Sequence, residues 1–265
     1  MRPLESLLPA ERWADRRHTT VDRHYTLLML LGLFPLFSFL ILMPVAHMLG
    51  GGPSTSEASG LKAWFPWFEQ HPYVLFAVYY VVYDLTYYWM HRAQHVIPWW
   101  WAMHSMHHSQ RQMTMWTDNR NHLLDDLLSD SLIVIVAQLI GVAPGQFVAI
   151  VALTQLSENF QHANLRMWFG RVGERLWVSP RFHRLHHAIG IGHESLGRQT
   201  LGGHNFGVLL PWWDMLFGTA NFELRYDPTG TRDQVEPDAR GRVRDYGRGF
   251  WAQQWRGLLR LAGRA

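Results

Sequence analysis

Two copies of the pattern HxxHH, at His104, His107 and His108 and again at His183, His186 and His187, flank an apolar region that runs from Ser131 to Leu156. This arrangement constrains the fold more than any other feature of the chain. If the apolar region crossed a bilayer once, the two clusters would lie on opposite sides and share nothing. If it doubles back, they meet on one face. The stretch "GVAPG" in its middle carries the Gly and Pro punctuation of a turn, so we expect a hairpin of two helices. Each arm would be only about ten residues at 1.5 Å rise per residue, which calls for extension into "LLDDLLSD" and "SENFQ" on either side.

Histidine usage points to metal. The chain of 265 residues has sixteen histidines and no cysteine, so thiolate sites, disulfides and a cysteine nucleophile are excluded together. HxxHH has a chance expectation of roughly 0.06 per chain at this histidine content, and it occurs twice. A third pattern, HxxxH, is formed by His91 and His95. Residues three and four apart share one helix face, so each pattern is expected to aim its imidazoles at one point, as coordination of a first-row metal requires. His162 in "SENFQHANLR" adds a ninth clustered histidine, where the chain leaves the hairpin. Nine imidazoles exceed the three or four ligands of one zinc, so two ions are the natural stoichiometry. Imidazole suits iron, copper and zinc alike, and residue types do not choose among them. The isolated His18, His24, His47 and His71 read as surface or interface residues.

Two acids stand close to these clusters. Glu158 lies one helical turn before His162, and Asp84 lies seven residues before His91, on about the same face. Either could bind metal or hold a ligand imidazole by its second nitrogen, the commoner use of a nearby acid. An Asp inside an apolar segment is costly and usually functional; the competing reading is a purely structural pairing with an Arg or a Tyr.

The remaining apolar patterning describes a membrane protein. Tyr25 to Leu49 has no charged residue and exceeds the ~20 residues a bilayer-spanning helix needs, with Pro35 tolerable where neighbours re-satisfy the backbone. Tyr73 to Met90 is a second apolar run, rich in the tyrosines of an interface belt. The opening segment "MRPLESLLPAERWADRRHTT" is too polar for a secretory signal. Arg12, Arg16, Arg17 and Arg23 precede the first span, whereas Lys62 is the sole cation of the following loop, so the N-terminus and the histidine clusters are expected on the cytoplasmic side, in a bacterial inner membrane. The formal charge of +3 carries no zinc-finger or helix-turn-helix pattern, and nucleic acid is not an expected partner. The expected fold class is all-α: an integral-membrane helical bundle under a cytoplasmic, histidine-rich helical cap. Three segments follow: residues 1–72, holding the N-terminus, first span and outer loop; a catalytic domain over 73–220; and a polar tail over 221–265. The tail stretch "RYDPTGTRDQVEPDARGRVRDYGRG" reads as surface or flexible chain. Its last stretch, "FWAQQWRGLLRLAGRA", reads either as an interfacial helix with Arg256 and Arg260 available for headgroups or as a helix packed on the domain.

In their order and separations, "DLTYYWMHRAQH", "MHSMHH", "QHANL", "RFHRLHH", "NFG" and "WWDMLFGT", from about Val81 to Thr219, resemble the fatty acid hydroxylase superfamily of integral-membrane enzymes, which includes sterol desaturases, sterol methyl oxidases and sphingolipid hydroxylases. The resemblance implies that His91, His95, His104, His107, His108, His162, His183, His186 and His187 bind two iron ions that activate dioxygen beside a lipid channel. It implies catalytic or ligand-supporting roles for Asp84, Tyr88, Glu158, Asn205 and Asp214. The chain departs from some members, which carry a further histidine one turn from the position of His162, by offering Glu158, Asn159 and Arg166 there. His193, Glu194 and His204 follow the last cluster and stand outside the metal set; Arg120 and His122 resemble a family segment whose role is orienting rather than binding.

The implied activity is hydroxylation or desaturation of a lipid (sterol, fatty acyl or sphingolipid-like) with O2 and external electrons. No haem domain or dinucleotide fingerprint is present in the sequence, so a ferredoxin or similar reductase is the expected donor, and no organic cofactor is expected. Two other readings compete. A zinc-dependent lipid hydrolase would activate water instead of dioxygen. A histidine-rich metal transporter would spread its ligands along the spans.

Overall fold

The computed structural model describes residues 2–30, 33, 41, 44, 60–191 and 203–264. Among these residues the chain is helical, without a strand beyond one isolated bridge between Ala188 and Thr229. The elements that place the site are α1 (Arg2–Leu7), α2 (Thr20–Leu30), α3 (Pro72–Val96), α4 (Pro98–His108), α5 (Leu123–Ile140), α6 (Pro144–Gln161), α7 (Pro180–His186), α8 (Trp212–Leu216) and α9 (Phe250–Leu261).

Proline sets the starts. Pro72, Pro98, Pro144 and Pro180 each occupy the first turn of their helix, where a missing N–H costs nothing. The expected hairpin is present: α5 takes in "LLDDLLSD" and α6 takes in "SENFQ", giving 18 residues per arm. Gly141 ends α5 in the left-handed conformation at φ 79°, as a glycine C-cap does, and the Tyr79 hydroxyl donates to its carbonyl at 2.9 Å. Leu75, Tyr79, Tyr83, Met90, Trp100, Met103, Ile133 and Ile150 form the apolar core joining α3, α4, α5 and α6.

Most of the first expected span, Tyr25 to Leu49, lies outside the described residues, as do His47, His193 and Glu194. Among the described residues no helix is long and apolar enough to cross a membrane. The acids explain part of this: α3 carries Asp84, and α5 carries Asp125, Asp126 and Asp130. The tail, expected as surface or flexible chain, is exposed over residues 235–245 but buried at Thr229 and Thr231. Thr229 is fully buried and donates to the Gln110 carbonyl at 3.0 Å, and Gln234 donates to the Ser109 carbonyl at 3.0 Å, so residues 229–234 close over the end of α4.

Candidate metal centre

The hairpin brings the distant histidine clusters together in two buried groups: His91, His95, His108 and His186 in one, and His107, His162, His183 and His187 in the other. Within each group the candidate ligand nitrogens all lie within 4.8 Å of one another. Each HxxHH pattern therefore divides between the groups instead of aiming at one point. Adjacent helical residues project about 100° apart, so His107 and His108 turn to different groups, as do His186 and His187. His91 and His95, four apart, stay together as expected.

Hydrogen bonds on the outer ring nitrogens fix the tautomers. His91 Nδ1 donates to the Phe206 carbonyl at 2.9 Å, His186 Nδ1 to the His204 carbonyl at 2.8 Å and His162 Nδ1 to the Glu158 carbonyl at 2.8 Å. A carbonyl only accepts, so in these three neutral rings Nε2 is the lone-pair nitrogen. In the second group His162 Nε2 lies 3.1 Å from His107 Nε2 and 2.9 Å from His183 Nε2, which is itself 3.2 Å from His187 Nε2. One in-plane lone pair serves one donor, so these contacts are not satisfied by hydrogen bonding alone. They suit a cation: two nitrogens bound at ~2.1 Å to one ion at near-right or tetrahedral angles sit about 3.0–3.4 Å apart.

Electrostatics favours the ligand form. Burial, reinforced by the neighbouring imidazoles, holds His107, His108, His183 and His187 well below the usual histidine range, and burial holds His162 down to about 4. All five are neutral at pH 7, which is the state a metal binds.

His104 belongs to neither group, although its ring centroid lies 5.3 Å from those of His91 and His107 and 5.0 Å from that of His108. Its Nδ1 meets Asp125 Oδ2 at 3.0 Å, and its buried Nε2 has no hydrogen-bond partner. Asp125 also accepts from Gln94 Nε2 at 2.8 Å and Trp100 Nε1 at 2.7 Å, so a single carboxylate on α5 ties α3 to α4 and orients an imidazole. Asp125→Asn keeps the shape and weakens that hold; we expect a loss of about 1–3 kcal/mol of stability, the cost of leaving buried hydrogen-bonding groups poorly satisfied, read by thermal melts.

The residues expected in catalytic or ligand-supporting roles have partners across the scaffold around the two groups. Asp84 takes the Leu209 and Leu210 amides at 2.9 and 3.2 Å and the Trp213 indole at 2.8 Å, and the structure shows no bond from it to an imidazole. The observed partners of Asp84 are thus backbone amides and an indole, in place of the Arg or Tyr of the structural reading. Asp214 accepts from the amides of Phe206 and Gly207 and from the Thr219 hydroxyl. Asn205, at φ 64°, donates to the carbonyls of Phe182 and Asn221. The Tyr88 hydroxyl pairs with Thr219 Oγ1 at 2.9 Å. Together they shape the 204–219 segment, whose carbonyls at His204 and Phe206 orient two imidazoles. Glu158 contributes its carbonyl to His162, while its carboxylate meets Tyr87. His122 caps α5 and reaches the Gln254 carbonyl at 3.0 Å, away from both groups.

Sequence reasoning missed Asp125, Asp118 (Oδ1 3.4 Å from His162 Nδ1) and the buried Arg181–Glu174 pair. Asp125 gave no distinct signal in the sequence, because acids are ordinary in the first turn of a helix.

A fatty acid hydroxylase family model matches residues 76–219. Among curated proteins, the chain is 25% identical over 179 residues to the fatty acid hydroxylase vlmA of Lecanicillium sp, covering 62% of this chain and 46% of that one. It is 27% identical to alkylglycerol monooxygenases of Caenorhabditis elegans and Homo sapiens, covering 55% and 58% of this chain and 26% and 33% of theirs. The chain thus spans between about a quarter and about half of the length of these relatives. No solved structure matches it. The matched region contains all eight grouped histidines together with the segment whose carbonyls orient two of them, and on that match the chain belongs to the fatty acid hydroxylase family.

Proposed function

We propose that the protein is a membrane-bound, O2-dependent oxidoreductase that hydroxylates or desaturates a lipid, with two iron ions held by the histidine groups and electrons from a ferredoxin-like or other reductase. The carrying observation is the pair of buried histidine quartets, each with its candidate ligand nitrogens within 4.8 Å of one another, in the second of which the Nε2 atoms of His107, His162, His183 and His187 lie closer than neutral imidazoles satisfy by themselves. His91, His95, His108 and His186 would hold one ion and His107, His162, His183 and His187 the other, with His104 beside both.

When bound, iron supplies the reductive activation of dioxygen and the oxidising strength that an unactivated C–H bond demands, which ordinary side chains lack. The chain's own residues hold and enclose. The carbonyls of Glu158, His204 and Phe206 keep three rings turned inward, Asp125 does the same for His104, and burial excludes water from the groups. A shell of neutral imidazoles adds no negative charge to the metals, which keeps them electrophilic.

Lipid contact is supported by the outer surface of the hairpin, where Leu139, Val148, Leu153 and Leu156 are exposed together on α5 and α6. The cytoplasmic placement of the histidines rests on the charge bias of the N-terminal arginines. Gathering of the histidines into closed groups, rather than along a path, weighs against transport.

Oxygen uptake separates this reading from a zinc hydrolase. With lipid, reductant and donor present, the purified protein is expected to consume O2 and to yield lipid that has gained one oxygen atom or lost a pair of hydrogens. Lipid cleavage without O2 uptake would replace oxidation by hydrolysis.

A further inference from the structure

Helix α9 is amphipathic in the opposite sense to a helix on a water-soluble domain. Its inward face is polar: Gln253, Gln254, Gly257 and Arg260 are buried. Gln254 donates to the Tyr25 hydroxyl and the Asn121 carbonyl and accepts from the Leu123 amide, while Gln253 accepts from the Tyr25 hydroxyl. Arg260 donates to the Ala102 carbonyl at 3.0 Å and lies 4.3 Å from the Tyr246 ring centroid, so it is engaged within the protein, as in the packed-helix reading, rather than available for headgroups. Gly257 permits the close approach, since a Cβ there would stand 2.3 Å from the His122 ring. The outward face is apolar: Trp251 is 78% exposed and Trp255 60%, with Leu258 and Leu261 beside them. Helices facing water place these residue types the other way round.

We propose that this outward face of α9 docks in the headgroup layer of a lipid bilayer rich in anionic lipid. The proposal rests on the membrane reading above and adds a second contact surface to it. Three observations select lipid over a protein partner. From Tyr246 to Ala265 the chain has four arginines and no acid; with Arg260 buried and Arg256 paired to Asp245, the exposed Arg248 and Arg264 remain as cations complementary to anionic headgroups. The one acid paired with this helix, Asp245, meets Arg256 and leaves the segment net positive. Tryptophan is the residue type of the membrane–water boundary. The helix also sits where apolar segments begin: the Phe250 ring lies 4.8 Å from that of Tyr25, the first residue of the charge-free run, and Gln254 holds Leu123, the first residue of the hairpin. A bilayer receiving either segment meets the tryptophan face of α9 at its surface. Because α9 packs along α4, this contact holds the helix bearing His104, His107 and His108 at a set height above the lipid.

The absence of cysteine makes the test direct. The full chain is prepared with Trp255→Cys or Val148→Cys, each labelled with an environment-sensitive fluorophore, in nanodiscs of mixed neutral and anionic phospholipid. The label at position 255 is expected to shift to the blue and to be quenched by spin-labelled lipid, more by a nitroxide near the headgroup than by one near the chain terminus, as fits a depth of ~5–10 Å. The label at 148 reports the hairpin. Quenching at 148 with a water-like, unquenched label at 255 would overturn the α9 proposal and leave the membrane reading standing; no quenching at either would overturn both. A blue shift at 255 that lipid nitroxides do not quench, and that grows with the protein-to-lipid ratio, would assign the face to a second copy and equally overturn the proposal.

Discussion

His107→Ala and His186→Ala are each expected to abolish turnover, and each is expected to lose a different metal ion. The two residues belong to separate HxxHH patterns and to separate groups, with His107 beside His162 and His183, and His186 beside His91, His95 and His108. Removing one imidazole from a four-ligand set opens the site and leaves the other three neutral nitrogens facing a cavity. The expected fall in activity exceeds the 10–100-fold that follows loss of an outer partner. Elemental analysis of the two variants, with the fold checked by circular dichroism, should show about half of the wild-type metal in each. The double variant should show none. Full activity in either single variant would remove its group from the chemistry.

Glu174→Ala has the largest expected effect on stability. Glu174 and Arg181 form an ion pair with side chains 2% and 0% exposed, and Arg181 also donates to the Glu223 carbonyl at 2.7 Å. Deleting the carboxylate leaves a buried guanidinium without its counter-charge, and breaking such a pair costs about 3–5 kcal/mol. The damage falls on α7, because Arg181 lies in its first turn, two residues before His183. Thermal melts should show the loss, and metal should be released at a lower temperature than in the wild type. Glu174→Ala with Arg181→Met should recover part of the stability, since an apolar side chain carries no uncompensated charge. A wild-type melt in the single variant would mean that water reaches Arg181 and screens it.

The legible part of this molecule was its helical grammar and the gathering of its histidines. The turn at "GVAPG" was readable because Gly141 adopts a conformation that favours glycine and Pro144 starts a helix without needing its N–H. The clustered histidines were readable because helical spacing shows which side chains are near one another. The division of each HxxHH between two groups also follows from helical geometry, through the angle between neighbours.

Other features were hidden because they depend on contacts between distant elements. Asp84 looked like a metal-site acid, yet its partners are the amides of Leu209 and Leu210 and the indole of Trp213, more than a hundred residues away. Asp125 looked like one of several acids at a helix start until three donors from α3 and α4 were seen to meet it. The carbonyls of His204 and Phe206 have no side-chain signature at all, because every residue carries that acceptor.

The central claim is that two oxygen-reactive ions sit in the two quartets, and metal content of the full chain purified after expression with iron supplied, read by elemental analysis together with Mössbauer spectroscopy, tests it most directly. The expected result is two equivalents of iron per chain in nitrogen-rich coordination. One ion per chain, or two zinc ions that support no O2 uptake with lipid and reductant, would contradict it.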